Sequence, residues 1–117
     1  MEISFIEDDN YYTLKISGEV DVTSSIKLDN ALEKALNSTE KDVLVDCHEL
    51  EYISSSGLGV FTSRVKSPDE PGQKVIIYGV SDKVMTTFTI LGLHKVLPIF
   101  KTKDELNSEI NGGQDKG

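Results

Sequence analysis

The sequence predicts an α/β fold in a single domain: a mixed sheet of four to five strands, parallel at its core with an antiparallel first strand, and about four helices. Three observations predict it. After two strand-like segments, helical and strand periodicities alternate as helix, strand, helix, strand, helix, strand, helix. The chain carries no internal repeat and no low-complexity segment. Its 117 residues, 38% of them hydrophobic, suffice for one core that buries roughly two-thirds of the unfolded surface and leave no room for a second.

Ile3, Phe5 and Glu7 share one face of the opening strand, and Tyr12, Leu14 and Ile16 alternate with Thr13, Lys15 and Ser17 in the second. Glu7-Asp8-Asp9-Asn10 makes the turn, so the two strands are expected to pair as a hairpin. Gly18-Glu19-Val20-Asp21 ends the second strand. Leu28, Ala31, Leu32, Ala35 and Leu36 then repeat at helical spacing behind Thr23 or Ser24 as the cap. Asn37 to Asp42 breaks this helix, and Val43-Leu44-Val45 reads as a strand buried on both faces. Asp46 to Ile53 carries the chain to a serine-rich stretch.

From Gly57, the residues Leu58, Phe61 and Val65 mark one buried helical stripe, with Thr62, Arg64 and Lys66 facing water. Pro68-Asp69-Glu70-Pro71-Gly72 ends that helix. Lys74-Val75-Ile76-Ile77-Tyr78 is the next strand, and Gly79 and Ser81 introduce a helix whose apolar stripe is Val84, Met85, Phe88 and Leu91, stopped by Gly92. Val96-Leu97-Pro98-Ile99-Phe100 is a short strand pushed toward a sheet edge by its proline. Thr102-Lys103-Asp104-Glu105 has capping-box spacing, followed by Leu106 and Ile110 on one stripe. Residues 1–110 are expected to form the domain and residues 111–117, with three glycines and no apolar residue, a disordered C-terminal tail.

Twenty acidic against twelve basic residues give a formal charge of −8, which repels phosphate backbones and anionic lipid. Neither nucleic acid nor a membrane is therefore an expected partner. A single cysteine, Cys47, fits a reducing compartment, and no secretory signal or spanning apolar run is present. The expected location is cytoplasmic.

The stretch Ile53-Ser54-Ser55-Ser56-Gly57-Leu58-Gly59-Val60 stands out as the candidate site. Three hydroxyls follow a strand and open a helix, and two glycines permit a sharp turn and a close approach. Serine is also a preferred helix cap, so capping alone is an alternative role. In an open parallel sheet the turns after strands form the working edge, which predicts that Asp21, the serines and Gly79-Val80-Ser81 gather there. Catalysis is not indicated: no glycine-serine-glycine elbow is present, and only His48 and His94 offer a general base. The glycines match neither glycine-rich nucleotide motif. Asp46, Cys47 and His48 are consecutive, and alternation along a strand would separate them as metal ligands. Neither cofactor nor metal is expected. A phosphoryl group on one of these serines would instead gain about 0.3–1 kcal/mol from the helix dipole.

Ser54-Ser55-Ser56-Gly57-Leu58-Gly59-Val60 after Ile53, Gly18-Glu19-Val20-Asp21, and Leu91-Gly92-Leu93 before a short strand occur in this order. On these three stretches the sequence resembles the anti-sigma factor antagonists, the single-domain members of the STAS family, over residues up to about Ile110. The resemblance implies a STAS-like fold and a partner switch without enzymatic activity of its own. In that switch the unphosphorylated protein binds an anti-sigma factor that is also a serine kinase and thereby releases a sigma factor. Phosphorylation ends the binding and a serine phosphatase restores it. By position the phosphoacceptor is Ser55, with Ser56 and Ser54 as runners-up, and the partner surface comprises Asp21, Ser54, Ser55, Ser56, Gly57 and Leu58. The chain departs from the family pattern at Ser54, where aspartate is usual. That departure keeps open an alternative, a STAS scaffold or regulator in a non-sigma partner-switching pathway such as secretion or a stress-sensing assembly.

Overall fold

The hairpin and the strand-helix-strand units expected from periodicity are present in the structure, a computed structural model that describes residues 1–65, 71–95, 97 and 99–106. Strand β1 (Glu2–Glu7) turns through Asp8, whose carboxylate accepts the Asn10 and Tyr11 N–H groups at 2.8 Å, into β2 (Tyr11–Val20). Then follow helix α1 (Val22–Ser38), β3 (Asp42–Ile53), α2 (Ser55–Arg64), β4 (Val75–Tyr78) and α3 (Asp82–Ile90). A short 3-10 turn, Leu93–Lys95, leads to β5 (Ile99–Phe100). Residues 103–106 are again helical, opened by Thr102, whose hydroxyl accepts the Glu105 N–H at 3.0 Å.

The strands lie in the order β1-β2-β3-β4-β5, with β1 antiparallel to β2 and every later pair parallel. Successive crossovers therefore run the same way across the sheet, and crossovers of one hand place their helices on one face. On that face Leu14, Ile16, Val43, Val45 and Ile77 pack with Leu28, Leu32, Phe61, Val84 and Phe88 in a single core. The other face carries a smaller cluster, Tyr11, Leu44, Ile76 and Tyr78 beneath Leu106. Val43, Leu44 and Val45 thus read as one apolar run because the two faces bury alternate members of it.

Several local expectations are corrected. Strand β3 is twelve residues long, so Asp46 to Ile53 is strand, and His48 lies within it. The cap of α1 is Asp21, not Thr23 or Ser24: its carboxylate accepts the Ser24 N–H at 2.8 Å while the Ser24 hydroxyl accepts the Asp21 N–H at 2.8 Å. Aspartate caps as well as serine, and a serine three residues on closes the reciprocal pair. Arg64 does not simply face water, because its Nε donates to Asp29 on α1 at 2.9 Å. Leu91 is 54% exposed, since α3 ends before it; Gly92, at φ 72°, makes the stop as expected. Phe5 and Glu7 are exposed, as β1 is an edge strand. The expectations for Lys66, Pro68 to Glu70, Val96, Pro98, Ile110 and the tail 111–117 fall outside the described residues.

Candidate functional site

The three serines have three different environments, and helix geometry decides which does what. Ser54 is the N-cap of α2: its backbone is extended and its hydroxyl accepts the Gly57 N–H at 3.2 Å. Its own N–H donates to the Val20 carbonyl at 2.8 Å, which ties the helix start to the end of β2. Only 8% of Ser54 is exposed. Ser55, the first helical residue, is exposed, and Ser56 is half-buried and turns toward α1. The unpaired N–H groups and partial positive charge of a helix N-terminus make the position of Ser55 tolerant of negative charge.

The Val20–Ser54 hydrogen bond also brings the start of α1 beside the start of α2, because Asp21 follows Val20 directly. Asp21 is exposed there, and the Ser24 N–H bound to its carboxylate, with the Ser24 hydroxyl second, holds the group below the usual carboxylate range. Ser81 and its turn are not part of this gathering. In register, Tyr78 lies opposite Asp46, which pairs with Lys15, whereas Ile53 pairs with Val20. The five residues from Lys15 to Val20 set the two levels apart by on the order of 17 Å along the sheet. Strand length, which periodicity does not report, decides this.

Gly57 and Leu58 are buried, Leu58 to 3% exposure, and hold α2 against the sheet. A Cβ added at Gly57 would stand 2.7 Å from Ile53 Cγ1 and 2.8 Å from Val20 Cγ1, both atoms of buried branched side chains. Gly59 is different: among the described residues, nothing beyond its chain neighbours and the backbone of its own helical turn lies within 4 Å of such an atom. Gly57→Ala is expected to lower stability by about 1–3 kcal/mol through overpacking, whereas Gly59→Ala raises it by about 0.5–1 kcal/mol because alanine is the better helix former. Urea unfolding of both variants checks this; equal effects would contradict the packing difference.

Sequence reasoning missed the surface next to the serines. Val22 and Ile26 of α1 are 66% and 65% exposed. Ile26 borders a groove of about 440 Å³ between α1 and α2, lined by Ser25, Asp29, Ser56, Gly59 and Val60. The signal was available: both residues fall off the helical stripe of Leu28, Leu32 and Ala35 that enters the core.

The histidine of β3 stands away from the serines. His48 is at the Asp46 level of the sheet, its Nδ1 2.7 Å from Asp46 Oδ1, and Tyr78 donates to the other Asp46 oxygen at 3.1 Å. Burial alone would raise the Asp46 carboxyl, but the His48 N–H and ring and the Tyr78 hydroxyl outweigh it and hold the group low. Cys47 points the other way into the core, where burial pushes its thiol up. Among the described residues no three His, Cys, Asp or Glu side chains converge as metal ligands, and no helix is long and apolar enough to cross a membrane.

The family and the fold have counterparts among known proteins. The family model described as the STAS domain matches residues 2–106. The chain is 28% identical over 99 residues to an anti-sigma-B factor antagonist of Staphylococcus aureus, a match that covers 85% of this chain and 92% of the relative. An anti-sigma factor antagonist from Mycobacterium paratuberculosis shares the fold with a TM-score of 0.79 at 16% identity, over 94% of this chain and 93% of that one. The anti-sigma factor antagonist SpoIIAA in its unphosphorylated form does so with a TM-score of 0.71 at 18% identity, over 95% and 97%.

Proposed function

The chain belongs to the STAS domain family, and we propose that within it the protein is an anti-sigma factor antagonist controlled by phosphorylation of Ser55. Unphosphorylated, it binds an anti-sigma factor that is also a serine kinase, and a sigma factor is released. Phosphorylation ends the binding, and a serine phosphatase reverses it. ATP and magnesium belong to the kinase; this chain is its ligand and substrate, working in the cytoplasm, and no enzyme itself. The observation that carries the reading is the division of labour at the start of α2: Ser54 is consumed as the cap, while Ser55 is the exposed hydroxyl beside exposed Asp21.

That division also accounts for Ser54 where relatives usually have aspartate. Both residues cap helices, so the position keeps its structural work and its buried hydroxyl is a poor acceptor. The proposed contact surface is Asp21 with the start of α2, Ser54, Ser55, Ser56, Gly57 and Leu58, in which Asp21 and Ser55 are exposed and Ser56 is half-buried. Incubation with the cognate kinase and ATP, followed by mass spectrometry, is expected to place one phosphate on Ser55 and none on Ser55→Ala. Labelling of Ser54 or Ser56 alone would move the acceptor, and failure of the unphosphorylated chain to bind any anti-sigma factor would sink the reading.

A further inference from the structure

Gly59 is the second glycine of α2 and, unlike Gly57, it answers no demand of this chain. Among the described residues, nothing outside the backbone of its own helical turn and its two chain neighbours lies within 4 Å of a Cβ placed there, and its backbone has no left-handed conformation. A glycine inside a helix weakens it relative to alanine. What the missing side chain does is leave bare backbone on the floor of the groove between α1 and α2. Beside it, Ile26 and Val60 flank the floor, and Val22 continues the apolar rim toward Asp21.

Charge along the same groove is graded. Val22, Ile26, Asp29 and Glu33 are spaced four, three and four apart, one stripe of α1. The stripe is apolar at its serine end and acidic at the other. Asp29 is engaged by Arg64 at 2.9 Å, while Glu33 is exposed near that pair and adds negative charge to it. Asp21 supplies a second exposed carboxylate at the opposite end.

We propose that this groove seats an amphipathic helix of the protein partner, with a large apolar side chain over Gly59 between Ile26 and Val60 and lysine or arginine residues directed at Glu33 and Asp21. A helix laid in a groove is read through apolar anchors one turn apart, and that spacing matches Val22 and Ile26. The carboxylates at both ends select a basic polar face and disfavour an acidic one. The proposal rests on the partner-binding reading above and deepens it: the serine end switches the contact, and the groove gives it an apolar anchor.

The probes are two stapled helical peptides of about fifteen residues that share one leucine face, one with lysines and one with glutamates on the polar face. In amide NMR titrations the lysine peptide is expected to shift Val22, Ile26, Gly59, Val60 and Ser63 saturably and to bind about tenfold more tightly than the glutamate peptide. Gly59→Leu, whose Cβ meets no described side chain within 4 Å other than those of its chain neighbours, fills the floor and is expected to weaken the lysine peptide about tenfold while the variant still unfolds cooperatively; Glu33→Lys weakens it several-fold. Equal binding of both peptides, shifts elsewhere on the surface, or no saturable shift overturns the proposal. Concentration-dependent broadening of the groove amides without peptide also overturns it, by assigning the groove to a second copy of the chain. Acceptor mapping on Ser55 is independent of these titrations, so failure of the serine switch and failure of the groove are separable.

Discussion

Phe61→Ala is expected to cost about 3–5 kcal/mol, the range for removing a fully buried aromatic side chain. Phe61 has no exposed surface and stacks on Phe88 with ring centroids 6.3 Å apart, so one ring joins α2 and α3 beneath the sheet. The cavity left behind can collapse only in part, because Leu28, Leu32 and Ile77 are buried without exposed surface in the same core. Domains of this size are stable by only about 5–15 kcal/mol, so the loss takes a large share of the total. In urea the midpoint should fall by about 2 M. A drop of less than about 1 kcal/mol would mean that α2 is held mainly by its cap and by the Val20–Ser54 hydrogen bond, and the packing account would be wrong.

Ser55→Asp is expected to weaken binding of the anti-sigma factor about a hundredfold, the size of a contact hot spot, while leaving the fold intact. The two effects have opposite signs for one reason. An aspartate at the first position of α2 meets the positive end of the helix dipole, which favours it by about 0.3–1 kcal/mol. Inside a contact with a partner the same charge must be desolvated, beside Asp21, whose carboxylate is already ionised at neutral pH. A melting temperature at or above that of the parent, together with lost binding, is the expected pair of results, read by calorimetry on the two samples. Full binding by Ser55→Asp would remove Ser55 from the contact, and a lower melting temperature would show that the site does not tolerate charge. Ser55→Ala separates the roles: it is expected to bind like the parent and to resist the kinase.

Most of the fold was legible because each element carries its own period. The alternation in β2, the 3.6-residue stripe of α1 and the apolar run Val43 to Val45 each name a secondary structure without help from the rest of the chain. The serine stretch was legible for a related reason, since hydroxyls and glycines between a strand and a helix have few local uses. Capping was the harder part. Thr23 and Ser24 looked like the start of α1, but Asp21 competes for the same N–H groups, and which residue wins depends on where β2 lets go of the chain.

What the sequence determined by itself is the order of the elements, the parallel core with its antiparallel first strand, and the serines at a helix N-terminus. These follow from local periodicity and from residue chemistry that needs no distant partner. Only the tertiary structure decided the length of β3, and with it the company the serines keep. Twelve residues of β3 carry Ile53 to the level of Val20 and leave Tyr78 beside Asp46, so Asp21 meets the serines and Ser81 does not. Which strand ends stand level across the sheet is a relation between distant segments that no local pattern contains.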